Sequence, residues 1–213
     1  MILSDEVLTE ESRLHLVNSL SYKTMTDYNW WDGWWRVGPR NSVEHVLYLL
    51  WKPYIDPNDY PKGIEYWSRK LTAPDPGLAW HQDTNEKEFS TDEYQIAGAS
   101  MTYYTSVDNL TGGNLEIYPY DSREKGNTRL SIHNYLESGK GDEYKETIRC
   151  VQNRMVLYDS ARLHRVSVVH KGVRENLASS IWFEKPMIFH KHENYDRNWK
   201  PQTWEAKHET NRY

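Results

Sequence analysis

A chain of 213 residues with a formal net charge of −5 has the length of one domain with terminal extensions, and no Lys/Arg block marks it for nucleic acid. Its 10 Trp and 16 Tyr against 3 Phe place much of its apolar area in amphipathic rings that bury on the order of 150–250 Å² each. That content excludes a disordered chain. A lone cysteine, Cys150, excludes an internal disulfide and a cysteine-based zinc site.

The acidic stretch Met1–Glu11 has no basic region followed by an apolar run, so no signal peptide is expected. The longest apolar run, Val46–Trp51, is too short to cross a bilayer. A cytoplasmic protein without a membrane segment is the expectation. Val7, Leu8, Leu14, Leu16 and Val17 predict a helix over Ser4–Asn18. Asp32-Gly33 then makes a turn inside the cluster Trp30–Trp35, read as core in preference to an aromatic face for a ligand or partner. A second helix is predicted from Ser42 through Trp51, ended by Pro53.

From Ile64 onward the texture is that of strands. Ile64–Leu71 reads as a strand and Ala73–Gly77 as a turn. Gln95–Val107 reads as a buried strand, with Asn114–Tyr118 as its hairpin partner across Gly112-Gly113. Gly126–Gly141 is a polar surface excursion. Short strands follow at Thr147–Val151, Arg154–Tyr158 and Arg165–Val169; a turn at Lys171-Gly172 precedes the last strand, Leu177–Phe183. This spacing predicts a mainly β fold with flanking helices and a jelly-roll or small-barrel core. Residues 64–183 would form that core, 1–63 an N-terminal helical support and 184–213 an extension.

In Trp80-His81-Gln82-Asp83, strand alternation turns His81 and Asp83 to one side, where both can reach one metal. His164 sits on a later strand, and Arg174 is expected to point back from its neighbour across the Lys171-Gly172 turn. Two imidazoles and one carboxylate occupy one face of a metal and leave the other open for a chelating keto acid and O2. An arginine can grip the distal carboxylate of 2-oxoglutarate through two charge-assisted hydrogen bonds. The sequence His190-Lys191-His192 has similar spacing without a carboxylate partner and reads as surface.

Taken together, His81/Asp83, the run Gly112–Pro119, His164-Arg165-Val166, Gly172-Val173-Arg174 and Ser180–Phe183 resemble the 2-oxoglutarate/Fe(II) oxygenase superfamily, and its prolyl-hydroxylase-like branch most of all. The resemblance implies a double-stranded β-helix of the jelly-roll or cupin-like kind. It implies iron(II) on His81, Asp83 and His164, 2-oxoglutarate as co-substrate, and ascorbate as a further candidate. It also assigns the 2-oxoglutarate pocket. Tyr104 and Ser180 would give hydroxyls to the distal carboxylate held by Arg174, with Thr102 on the same face as Tyr104. Leu115 and Val166 would form apolar walls, and Trp182 would close the pocket. Asn176 stands where many members carry a serine. The activity implied is hydroxylation of a C–H bond, on a prolyl residue, a free amino acid or another small molecule, with O2 consumed and succinate and CO2 released. The alternatives are a metal-binding jelly roll without turnover and a cupin-like small-molecule enzyme. Candidate substrate contacts are Trp30–Trp35, Asn85–Glu93 and Arg123–Gly141.

Overall fold

A computed structural model describes residues 1–20, 28–85, 95–121, 138, 144–186 and 189. The excursion at Gly126–Gly141 (apart from Ser138), the loop after Asn85 and His190-Lys191-His192 lie outside the described residues. No helix among the described residues is long and apolar enough to cross a membrane.

Two antiparallel sheets face each other. The larger joins β1 (Ile2–Ser4), β8 (Arg154–Tyr158), β5 (Ala99–Gly112), β10 (Val169–Trp182), β3 (Gly63–Thr72) and β2 (Asn29–Trp31), in that spatial order. The smaller joins β4 (Leu78–His81), β9 (Arg162–Val166), β6 (Leu115–Asp121) and β7 (Glu146–Ile148). This is the jelly-roll architecture expected from the strand spacing.

Side-chain alternation splits the large sheet into two environments. Ile64, Tyr66, Met101, Tyr103, Met155, Leu157, Leu177 and Ile181 face two helices, α1 (Glu10–Ser19) and α2 (Ser42–Trp51). Val46, Leu47, Leu50 and Trp51 recur at helical spacing and fill that layer. Each such apolar side chain contributes roughly 1.5–3 kcal/mol through burial. The Trp51 indole donates to Ser179 Oγ at 2.9 Å, which ties α2 to β10. On the opposite face Tyr104, Val156 and Tyr158 pack with Leu115, Ile117 and Ile148 of the small sheet. That inner layer houses the candidate site.

Several expectations change. The first helix starts at Glu10, because the Thr9 hydroxyl caps it by accepting from Ser12 N at 3.2 Å. Residues before it pair with β8 as a strand, and Asn29–Trp31 pair with β3, so the N-terminal support is not purely helical. The second helix covers Ser42–Trp51 as expected, with Asn41 as its cap.

Gly112-Gly113 does not close a hairpin. β5 pairs with β8 and β10, whereas β6 pairs with β7 and β9. Two successive positive φ angles, +82° and +66°, swing the chain from one sheet to the other. Lys171-Gly172 is not a turn either but an irregularity within β10, where a Cβ on Gly172 would meet Asp108 O at 2.2 Å. Since β9 and β10 lie in opposite sheets, Arg174 reaches the interior from across the sandwich rather than from a neighbouring strand.

Candidate metal centre and anion pocket

His81 ends β4 directly opposite His164 on β9, and their rings lie 4.2 Å apart. Asp83 falls just beyond β4, so alternation alone does not aim it. Its Oδ2 accepts from Ser180 Oγ at 3.1 Å and from Ser100 Oγ, which turns Oδ1 toward the imidazoles. Oδ1 stands 3.7 Å from His164 Nε2 and 4.0 Å from His81 Nε2. One ligand atom from each of the three residues falls within 4.8 Å of the others.

The ring orientations suit a divalent cation. His81 Nδ1 lies 2.8 Å from Ala79 O and His164 Nδ1 lies 3.0 Å from Arg162 O. A proton on each Nδ1 satisfies those carbonyls and leaves both Nε2 lone pairs for a metal. Burial, reinforced by the adjacent His164, pulls the His81 pKa down to about 4, so the ring is neutral at physiological pH. Burial alone would raise Asp83. The close approach of His164, the nearness of His81 and the Ser100 hydroxyl outweigh it and hold the carboxyl below its ordinary range. A carboxylate beside two imidazoles that turn Nε2 toward it is the donor set of a non-haem iron(II) centre with open positions.

On β10 the Arg174 side chain is 2% exposed. Nη1 donates to Gly113 O at 2.5 Å and Nη2 to Asn176 Oδ1 at 3.0 Å, while Nε has no partner. No carboxylate pairs with Arg174 among the described residues. A buried cation without a counterion costs several kcal/mol. It lies over the Tyr104 ring at 5.0 Å. The Tyr104 hydroxyl is fully buried and makes no hydrogen bond of normal geometry, and burial raises its pKa far above the usual phenol value. Tyr158 packs with Tyr104 and stands 4.9 Å from the His164 ring, so a continuous layer connects the two ends.

The other expected pocket residues divide. Thr102 is buried on β5 and pairs with Val156 and Ala178. Leu115 is in the inner cluster, and Val166 pairs with it on the face that carries His164. Ser180 is not near Arg174. Along an extended strand the six residue steps from one to the other span roughly 20 Å, and its hydroxyl serves Asp83 instead. Trp182 lies further along, clustered with Trp30, Ala97 and Phe189, and donates to Glu65 Oε2 at 2.8 Å. The Trp30–Trp35 segment divides too: Trp31 joins the helix-side core, whereas Trp30 packs beside Trp182.

Sequence reasoning missed Ser100, Tyr158 and the Gly113 carbonyl. Alternation from Thr102 could have flagged Ser100. Nothing in the sequence marks a carbonyl that the glycine pair turns inward, where both Arg174 and the Cys150 thiol donate to it.

A jelly roll with two imidazoles and a carboxylate on one metal face defines a class of non-haem oxygenases. Residues 69–184 match the family model of the 2OG-Fe(II) oxygenase superfamily. The chain belongs to that superfamily and is an oxygenase. No curated protein sequence matches it. Its fold is similar to a Pseudomonas putida prolyl-4-hydroxylase, with TM-score 0.55, 12% identity and 87% of each chain covered. Iron-bound HygX from Streptomyces hygroscopicus is also similar, with TM-score 0.56, 12% identity, and 85% of this chain and 81% of that chain covered. HygX with nickel and 2-oxoglutarate bound has TM-score 0.53 at 12% identity, covering 85% of this chain and 81% of that chain.

Proposed function

We propose that this enzyme hydroxylates a C–H bond of its substrate with O2 and 2-oxoglutarate, using iron(II) held by His81, Asp83 and His164. Bound together, iron(II) and 2-oxoglutarate would activate O2, the oxidant: one oxygen atom would go to the substrate and the other to the succinate formed as 2-oxoglutarate loses CO2. The protein's own residues position and exclude. His81 and His164 offer Nε2 because their Nδ1 atoms face backbone carbonyls. Ser100 and Ser180 hold Asp83 Oδ2. Arg174 takes the distal carboxylate of 2-oxoglutarate, aided by the Tyr104 hydroxyl, with Thr102, Leu115 and Val166 as walls. Asn176 and the Gly113 carbonyl keep the guanidinium in place. Packing from the small sheet excludes water from this end. The whole chain acts as one oxygenase unit around the core at 64–183.

A single observation carries this reading: a guanidinium buried to 2% exposure with no acidic partner among the described residues. A purely structural metal site has no use for it, whereas a dicarboxylate that chelates the metal and ends on a cation accounts for both. Adding 2-oxoglutarate to the anaerobic iron(II) protein should give a visible charge-transfer band. A colourless complex, or 2-oxoglutarate consumption at the wild-type rate in His164→Ala, would contradict the proposal.

A further inference from the structure

The inner face of β3 carries a second guanidinium that the proposed reaction leaves unused. Arg69 lies directly opposite Asn176 in the β3–β10 pairing. Directly opposed residues point to the same side of a sheet, so Arg69 projects to the side on which Asn176 receives Arg174. Arg69 is half-buried, and no hydrogen bond or ion pair engages it among the described residues. Burial lowers its pKa; Tyr28 and Asp75 oppose that effect, and Arg174 adds to it. Its charge also bears on His81. Arg69 thus sits within electrostatic reach of both the metal end and the anion end. Asp75 is the acidic group that faces it. That carboxylate is not within ion-pair distance, and its Oδ1 accepts from Gly77 N at 2.8 Å.

Two further features define the surroundings. Trp67 precedes Arg69 by two residues and shares its face. The Tyr28 ring meets Trp67 edge-on, with centroids 5.1 Å apart at 76°. Both rings are half-buried. A cation beside an aromatic wall suits a small molecule that joins an anion to an apolar body.

Charge decides what the anion is. Iron(II) with Arg174 is matched by Asp83 with the 2-oxoglutarate dianion, so Arg69 is left with Asp75 alone, beyond ion-pair distance. Both carboxylates of 2-oxoglutarate are already assigned, one to the metal and one to Arg174.

We infer that Arg69 anchors a carboxylate of the oxidised substrate, so that the enzyme takes small carboxylate-bearing molecules such as free amino acids rather than residues inside a peptide chain. The inference rests on the proposed function. An internal prolyl residue presents neutral amides at the positions where a free amino acid presents its carboxylate. Those amides cannot accept the paired charge-assisted hydrogen bonds that a guanidinium offers.

The test uses the full chain, anaerobic, loaded with iron(II) and 2-oxoglutarate. A panel of free L-amino acids and their carboxamides is titrated against the visible band. At least one free acid should perturb the band, and its carboxamide should bind roughly ten-fold or more weakly. Arg69→Gln should weaken that acid by a similar factor and leave the 2-oxoglutarate titration unchanged. Arg69→Lys, which keeps the charge, should recover part of the loss. Carboxamides binding as well as acids, or no acid binding at all, would overturn the inference while the band itself still supports the oxygenase chemistry. A loss of 2-oxoglutarate affinity in Arg69→Gln would overturn it differently, by assigning Arg69 to the co-substrate. A wild-type protein that gives no band would remove the proposed function, and this inference with it. Because Arg69 has no partner among the described residues, its variants should keep the wild-type melting temperature.

Discussion

At the metal end of the interior, Asp83 is wrapped by the hydroxyls of Ser100 and Ser180 and faced by two imidazoles. At the other end Arg174 lies buried over Tyr104 with a carbonyl and an amide oxygen for company, but no carboxylate among the described residues. The first end is built as a complete ligand set that a cation would occupy. The second carries a charge that no acid among the described residues pairs with, and an anion would compensate it. The difference is the one the proposed function requires of a ligand that would span the interior, with opposite demands at its two ends.

Removing one metal ligand should break the comparison most severely. His164→Ala is expected to lower oxygen-coupled succinate release by on the order of 100-fold or more, since even outer-shell changes cost 10–100-fold. Iron retention after gel filtration would report whether binding is the cause. Next in size is Arg174→Met, which should raise the KM for 2-oxoglutarate by roughly 100-fold with a smaller change in kcat. A second readout separates a ligand role from a structural one. In the metal-loaded protein 2-oxoglutarate should raise the wild-type melting temperature and leave that of the methionine variant unmoved.

A smaller effect is expected from Ser100→Ala. Asp83 would keep Ser180 and lose one donor, so iron affinity should fall by about 10-fold, measured by competition with a chelator. The smallest effect is on the metal-free protein in acid. His81 drops from 6.5 in the unfolded chain to about 4 in the fold. The unfolded state therefore binds more protons in that interval, and stability present above pH 6.5 is lost as the pH falls toward 4. Denaturant midpoints across this window should slope downward with falling pH, and His81→Gln should flatten the slope.

Legibility in the sequence followed the range of the interactions. Ser42–Trp51 could be read because helical periodicity and Pro53 are local signals. The strands around residues 64–71 and 154–158 carry their alternation in adjacent residues. The sequence predicts a hairpin at Gly112-Gly113, but glycines permit a reversal and a crossover equally well, and only the partners of β6 decide between them. The resemblance puts Ser180 at the Arg174 end, but parity gives the face of a strand and not the distance along it. Asp83 illustrates the reverse case. Strand alternation predicts its pairing with His81, yet the strand ends first and distant hydroxyls aim the carboxylate.

What the sequence determined by itself was chemical identity: two histidines, one aspartate and one arginine at spacings that a strand-rich chain can bring together. Tertiary structure decided the surroundings of each. It placed Arg174 in the sheet opposite His164, with no acid paired to it among the described residues, and set Arg69 on the same face. Burial and charge pairing depend on contacts between residues far apart in the chain, and no local pattern encodes them.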